Sequence, residues 1–138
     1  KELSTTDKKF ITDLFAPLGL IIECTDEDKM DKVSMIAGCG IGYVAYFMQK
    51  LEHIARSYGF TEDETRNIVR NTFVGTLRHL DETGDSPEEL IQAVATKGGI
   101  TEEVLENLRK GNFSSLFSTA VQKGYDKIRK FTEEFKKE

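Results

Sequence analysis

Apolar residues three and four apart run along most of this chain, and one segment alone, Leu20-Ile21-Ile22-Glu23-Cys24, replaces that period with the makings of a strand. The rest reads as helix. Phe10, Ile11, Leu14 and Phe15 form a short amphipathic stripe behind the candidate caps Ser4 and Thr5, and Pro17 with Gly19 closes it. Between Thr25 and Tyr58, residues such as Met30, Val33, Tyr43, Phe47, Leu51 and Ile54 keep helical steps around Gly38, Gly40 and Gly42, which predicts one short and one long helix. Gly59 offers a left-handed stop, and Thr61-Glu62-Asp63-Glu64 has the spacing at which hydroxyl and carboxylate cap each other's backbone donors. Ser86-Pro87-Glu88-Glu89 repeats that cap after Gly84. Helices are further expected around Leu90, Ile91 and Val94, around Val104, Leu105 and Leu108, and along Phe113 to Phe135, where a solvated charge run ends the chain.

The expected fold is therefore all-α, about six helices in a bundle-like domain, with one N-terminal strand left over. A lone strand leaves its ladder donors and acceptors unpaired, so its sheet must lie elsewhere. Either a partner chain supplies the neighbouring strands, or residues 1–25 are the tail of a missing α/β domain and residues 26–138 the helical domain. Because the first residue is Lys1 rather than Met, the second arrangement is the expectation.

With 138 residues the chain has room for one domain. Nineteen Lys and Arg against 24 Asp and Glu leave a net charge of -5, with no basic excess to neutralise phosphates, so nucleic acid is not an expected partner. No apolar run approaches the ~20 residues of a membrane span, and no basic-then-apolar leader opens the sequence, which leads to the expectation of a cytoplasmic protein without membrane contact. Cys24 and Cys39 lack CxxC spacing, and His53 and His79 lie far apart, so no metal site is expected. Neither Cys39 nor either histidine has a sequence neighbour that would make it a catalytic group.

Two glycine-bearing loops remain as candidates for chemistry. Gly38-Cys39-Gly40-Ile41-Gly42-Tyr43 tempts a dinucleotide reading, but Tyr43 stands where a third glycine belongs and helix-like residues precede it. Small residues there let two helices or two subunits approach backbone to backbone. Together with long apolar stripes, the segment predicts a homodimer. Thr96-Lys97-Gly98-Gly99-Ile100-Thr101 is the better candidate, since two glycines just ahead of a helix expose N–H groups at the positive end of its dipole, a place for a small carboxylate. The plain alternative is a turn in which Thr101 is merely the N-cap.

At these two loops the chain resembles the C-terminal dimerisation domain of pyrroline-5-carboxylate reductase. Ala37 through Tyr43, AGCGIGY, parallels the family's SGSGPAY. The helix from Val69 to Gly75 and on through Glu82-Thr83-Gly84, then Asp85-Ser86-Pro87, follows the family's pattern. Val94 through Thr101, VATKGGIT, parallels VTSPGGTT, and Leu108 through Phe117 and Phe15 through Met35 extend the likeness. The resemblance implies an NAD(P)H-dependent reductase of proline biosynthesis, with an N-terminal Rossmann domain to which the orphan strand would belong and a helical half that interlocks as a homodimer. It implies that Thr96, Lys97, Gly98, Gly99 and Ile100 hold the substrate carboxylate, and that Thr101 hydrogen-bonds the ring nitrogen as the catalytic contact. NADP or NAD would bind the full-length protein and not this chain alone, which is expected to be inactive without its Rossmann half. The sequence departs from the pattern at Ala37, Cys39, Ile41, Gln92 and Lys97. Lys97 replaces the loop proline, restoring a backbone N–H and adding a cation. Such departures frame the alternative function: a non-enzymatic helical oligomerisation or regulatory paralogue.

Overall fold

The computed structural model describes residues 3–135. Lys1 and the final three residues of the C-terminal charge run lie outside them. Among the described residues the chain forms seven α-helices and no strand: α1 (Thr5–Phe15), α2 (Glu27–Val33), α3 (Gly40–Ser57), α4 (Glu62–Thr83), α5 (Pro87–Val94), α6 (Ile100–Lys110) and α7 (Phe113–Phe135). Helices α2 to α7 make up the expected set of six.

Local chemistry sets most boundaries. Ser4, Thr61 and Ser86 each accept from the backbone N–H three residues on, while Asp7, Glu64 and Glu89 reach back to the cap residue's own N–H. Gly84 ends α4 at a φ of 75°, a left-handed cap that costs a glycine nothing. Between α2 and α3 the helix widens for one turn, Ser34–Gly38, and the Cys39 N–H donates to the Ser34 carbonyl.

The strand expected at Leu20–Cys24 is not formed. The segment follows a 3-10 turn, Ala16–Leu18, and carries no regular structure, because no other strand among the described residues offers it a ladder. It is tied to its flanks at Glu23, whose carboxylate pairs with Lys8 of α1 and whose carbonyl accepts from Lys29 of α2 at 2.7 Å.

Packing within the chain centres on two places. The first is α3 against α4, where Ala55, Thr65 and Val69 are buried. The second is α7, which lies on α2, on the widened turn and on α6. There the Tyr125 hydroxyl donates to Asp28, and Thr132 stands 3.4 Å from the Asp31 carboxylate. Gly124 of α7 faces the buried Met35 of that turn, whose terminal methyl fills the space a Cβ would take, at 2.6 Å.

Much apolar surface stays uncovered. The chain exposes 11,572 Å², whereas a compact monomer of 15.6 kDa exposes roughly 7,300 Å². Ile36, Ile41, Leu77, Leu116 and the α6 stripe Ile100, Val104, Leu108 are all exposed, as are Phe10, Leu14 and Phe15 on α1. The glycines Gly38, Gly40 and Gly42 have open space where a Cβ would stand, so no second helix of the same chain packs on them. Of the two roles their small size suggests, close packing between helices of one chain is thereby removed.

Candidate functional site

The loop between α5 and α6 is built by two glycines with separate jobs. Helix α5 gives out at Ala95, and the Gly99 N–H closes a four-residue turn on the Thr96 carbonyl at 2.8 Å. Lys97 and Gly98 are the corners of that turn, and Gly98 has a φ of 74°, the left-handed value a second corner of this kind requires. Gly99 is needed for space, since its Cβ would fall 2.7 Å from Thr96 Oγ1 and 2.8 Å from the Thr96 carbonyl oxygen.

Gly99 is also the N-cap of α6, extended at φ -85° and ψ 166° and bringing no side chain to the task. That corrects the alternative in which Thr101 is the N-cap: Thr101 lies in the first turn, at the second helical position. A glycine can hold the extended cap geometry just after the turn, and the turn fixes the start of α6 two residues early. The first intrahelical bond runs from the Glu103 N–H to the Gly99 carbonyl at 3.1 Å. The N–H groups of Ile100, Thr101 and Glu102 therefore have no acceptor inside the helix, and they point out of its positive end. The Thr101 hydroxyl makes no hydrogen bond among the described residues, and its side chain is exposed.

The six residues singled out in sequence thus fall together: Thr96, Lys97, Gly98 and Gly99 form the turn, and Ile100 and Thr101 the start of the helix. Lys97 is exposed at the corner and forms no ion pair among the described residues. A cleft of 360 Å³ opens beside them, lined by Gly98, Gly99 and Ile100 with Glu102, Glu103, Val104 and Glu106 of α6. Sequence reasoning missed one feature: the Gly98 N–H donates to the Glu102 carboxylate. The available signal was an acidic residue three places beyond the true cap, the position from which a carboxylate turns back on the chain. Three outward N–H groups beside a dipole can hold one anion the size of a carboxylate.

The other glycine segment has a different character. Gly38 ends the widened turn and Gly40 begins α3. Phe117 of α7 meets Tyr43 edge-on at 5.9 Å, and Phe113 and Phe117 both lie against Phe47. A 310 Å³ groove runs along this aromatic cluster. Burial, with the Cys39 thiol beside it, raises the Tyr43 phenol above its ordinary value. No strand leads into the segment, so the strand, glycine turn and helix that cradle a pyrophosphate are not assembled there. They also hold no cluster of three metal-ligating side chains, and no helix is long and apolar enough to cross a membrane. His79 Nε2 stands 3.3 Å from Asp85 across the Gly84 turn, a structural pairing away from both loops.

Residues 27–131 match the family model for pyrroline-5-carboxylate reductase dimerisation. Pyrroline-5-carboxylate reductase 1 of Bacillus subtilis is 28% identical over 137 residues, 99% of this chain and 46% of that protein. Among solved structures, the pyrroline carboxylate reductase of Plasmodium falciparum, crystallised with NADP bound, superposes with a TM-score of 0.80 at 30% identity, over 92% of this chain and 48% of its own. That of Coxiella burnetii reaches 0.85 at 26% identity, over 93% of this chain and 47% of its own. The chain spans about half the length of the relatives it matches.

Proposed function

The chain belongs to the pyrroline-5-carboxylate reductase family, as its dimerisation domain, and from that premise we propose that it is the dimer-forming, substrate-holding half of an NAD(P)H-dependent reductase that makes proline in the cytoplasm. The observation that carries the reading is the turn Thr96–Gly99 running into α6, which leaves the N–H groups of Ile100 and Thr101 without an acceptor in the helix. The substrate is a five-membered cyclic imine bearing a carboxylate. Its carboxylate is held by N–H groups of Ile100 and Thr101 with Lys97 nearby, and the Thr101 hydroxyl hydrogen-bonds the ring nitrogen. The nicotinamide cofactor belongs to a dinucleotide-binding half outside this chain. Residues 1–25 are the end of that half, and Leu20–Cys24 becomes a strand when its sheet is present.

The partner is a second copy of the chain. The exposed area exceeds that of a compact monomer by roughly 4,300 Å², and obligate dimers bury about 2,000–5,000 Å² or more in total. Gly38, Gly40 and Gly42, open within one chain, are where a second backbone approaches.

The test is turnover of the longer protein carrying this chain. Thr101→Ala lowers kcat by up to about a hundredfold or more, the range for loss of a single transition-state donor, and Thr101→Ser restores most of it. Since Gly99 and not Thr101 caps α6, the alanine variant keeps its stability, and lost turnover is not lost fold. Unchanged turnover per folded molecule overturns the role of Thr101. A native dimer with no reductase activity favours the oligomerisation module instead.

A further inference from the structure

We infer that His79 and Asp85 are positioning residues for the Thr96–Thr101 loop: paired across the joint between α4 and α5, they set the direction in which α5 carries that loop. The inference rests on the reading of the loop given above. A ring of contacts closes the joint. The Thr83 hydroxyl donates to the His79 carbonyl at 2.9 Å and accepts from the Asp85 N–H at 3.2 Å, while the Asp85 carboxylate comes back to within 3.3 Å of His79 Nε2. Inside the ring Gly84 is left-handed, and its N–H bonds the Leu80 carbonyl at 2.9 Å. That bond only stops α4. The ring reaches past it and fixes where Asp85, one residue ahead of the α5 cap Ser86, departs.

The direction matters because little else in the chain holds α5. It buries no residue and shares no extensive contact with another helix, and α6, which reaches the loop from its other side, buries none either. The eight residues of α5 make a lever about 12 Å long, so a tilt of about 10° at the joint moves the loop by about 2 Å. Misplacing a reacting centre by about 1 Å can cost about a hundredfold in rate. A tilted α5 still offers the same N–H groups to a carboxylate, but the ring attached to that carboxylate stands off its reacting position. Loss of the pair therefore falls on turnover and spares binding. With the Gly84 cap left in place the joint loosens without breaking, so the effect is that of one exposed hydrogen bond.

The test uses the longer protein carrying this chain. His79→Ala and Asp85→Ala are each expected to lower kcat about three- to tenfold, with KM within about twofold of native. The double variant falls no further than the worse single one, because the same contact is lost in all three. His79→Gln, whose amide nitrogen reaches the same carboxylate, restores most of kcat. Hydrogen exchange read by mass spectrometry quickens over residues 85–95 of the alanine variants and not over residues 65–80, which tells a loosened joint from a general loss of fold. Both side chains are close to half exposed, and should one alanine variant fail to fold, the other carries the test. Unchanged kcat in an active protein, an additive double variant or a glutamine that does not rescue overturns the inference and leaves the reading of the loop intact. If Thr101→Ala also leaves turnover unchanged, that reading is refuted and the inference falls with it.

Discussion

Helices α4 and α6 are written in the same language and meet different fates. Both are amphipathic, both begin with acidic residues in their first turn, and both follow a turn that needs glycine. Yet α4 buries Thr65 and Val69 against α3, at 1% and 3% exposure, while α6 buries nothing, and its stripe Ile100, Val104 and Leu108 stands 87%, 54% and 44% exposed. The difference lies in what the next element does. The short Tyr58–Thr61 connection, stopped by Gly59 at a φ of 92°, folds α4 back along α3. Helix α6 packs chiefly on α7, and its apolar edge stays exposed. Periodicity fixes which face of a helix is apolar; the covering of that face is a tertiary fact.

The sharpest way to break the comparison is to place an aspartate on each stripe. Val69→Asp buries an unpaired charge inside the chain and is expected to cost about 4 kcal/mol or more, enough to abolish the cooperative urea transition. Leu108→Asp is mild for a single chain, because the residue is exposed there. If a second copy covers α6, the same variant separates the dimer. Light scattering then reports a monomer at concentrations where the native chain is dimeric. A Leu108→Asp chain that stays dimeric with an unchanged melt would show that α6 faces solvent after all.

The contrast also explains what was legible in the sequence. Caps were readable at Ser4, Thr61 and Ser86, because a hydroxyl and a carboxylate three residues apart satisfy each other without help from the rest of the fold. The candidate loop was readable as a unit, from two glycines before a periodic segment. Its helix start was misplaced at Thr101, since the hydrogen bond that closes the Thr96–Gly99 turn leaves no residue signature beyond the glycines. With the cap misplaced, the carboxylate three residues beyond it, Glu102 on the Gly98 N–H, went unread, and His79 beside Asp85 depends on where the Gly84 turn points its neighbours. Leu20–Cys24 shows the opposite limit, a strand-like composition without a sheet to join.

A smaller effect sharpens the difference between the two glycines of the loop. Gly99→Ala drives a Cβ into the Thr96 carbonyl, which is backbone and cannot swing aside, and is expected to cost about 1–3 kcal/mol. The amide signals of Gly98 and Thr101 should move with it. Gly75, in the middle of α4 with open space at its Cβ, is the control: Gly75→Ala is expected to gain about 1 kcal/mol from helix propensity. Equal responses at the two sites would mean that the loop gives way as freely as open helix surface.

Within α4 the buried end carries its own imperfection. Thr65 Oγ1 is buried without a hydrogen-bond partner, a desolvated hydroxyl in a contact that is otherwise apolar. Thr65→Val keeps the shape and removes the orphan, so the thermal midpoint should rise, by an amount corresponding to about 1 kcal/mol. A fall would show that the hydroxyl finds a partner in the assembled dimer.

The smallest effect is pH dependence, and it too divides the helices. Glu64 and Glu89 are held below the usual carboxylate range, chiefly by accepting from the backbone N–H of Thr61 and of Ser86. Asp28 is lowered first by its bond to Lys32 and then by the Tyr125 hydroxyl. A carboxyl group whose folded value is depressed contributes stability above its unfolded value, about 4, and loses it as the pH falls through the lower folded value. These groups are exposed, so each contributes little, and the stability of the native chain should be flat near neutrality and decline only below about pH 4. Glu64→Gln with Glu89→Gln should flatten that acid limb, since an amide still accepts from the cap N–H but no longer titrates. Should the double variant keep the full acid slope, the caps of α4 and α5 are not its source, and the Asp28 contacts that join α2 to α7 become the place to look.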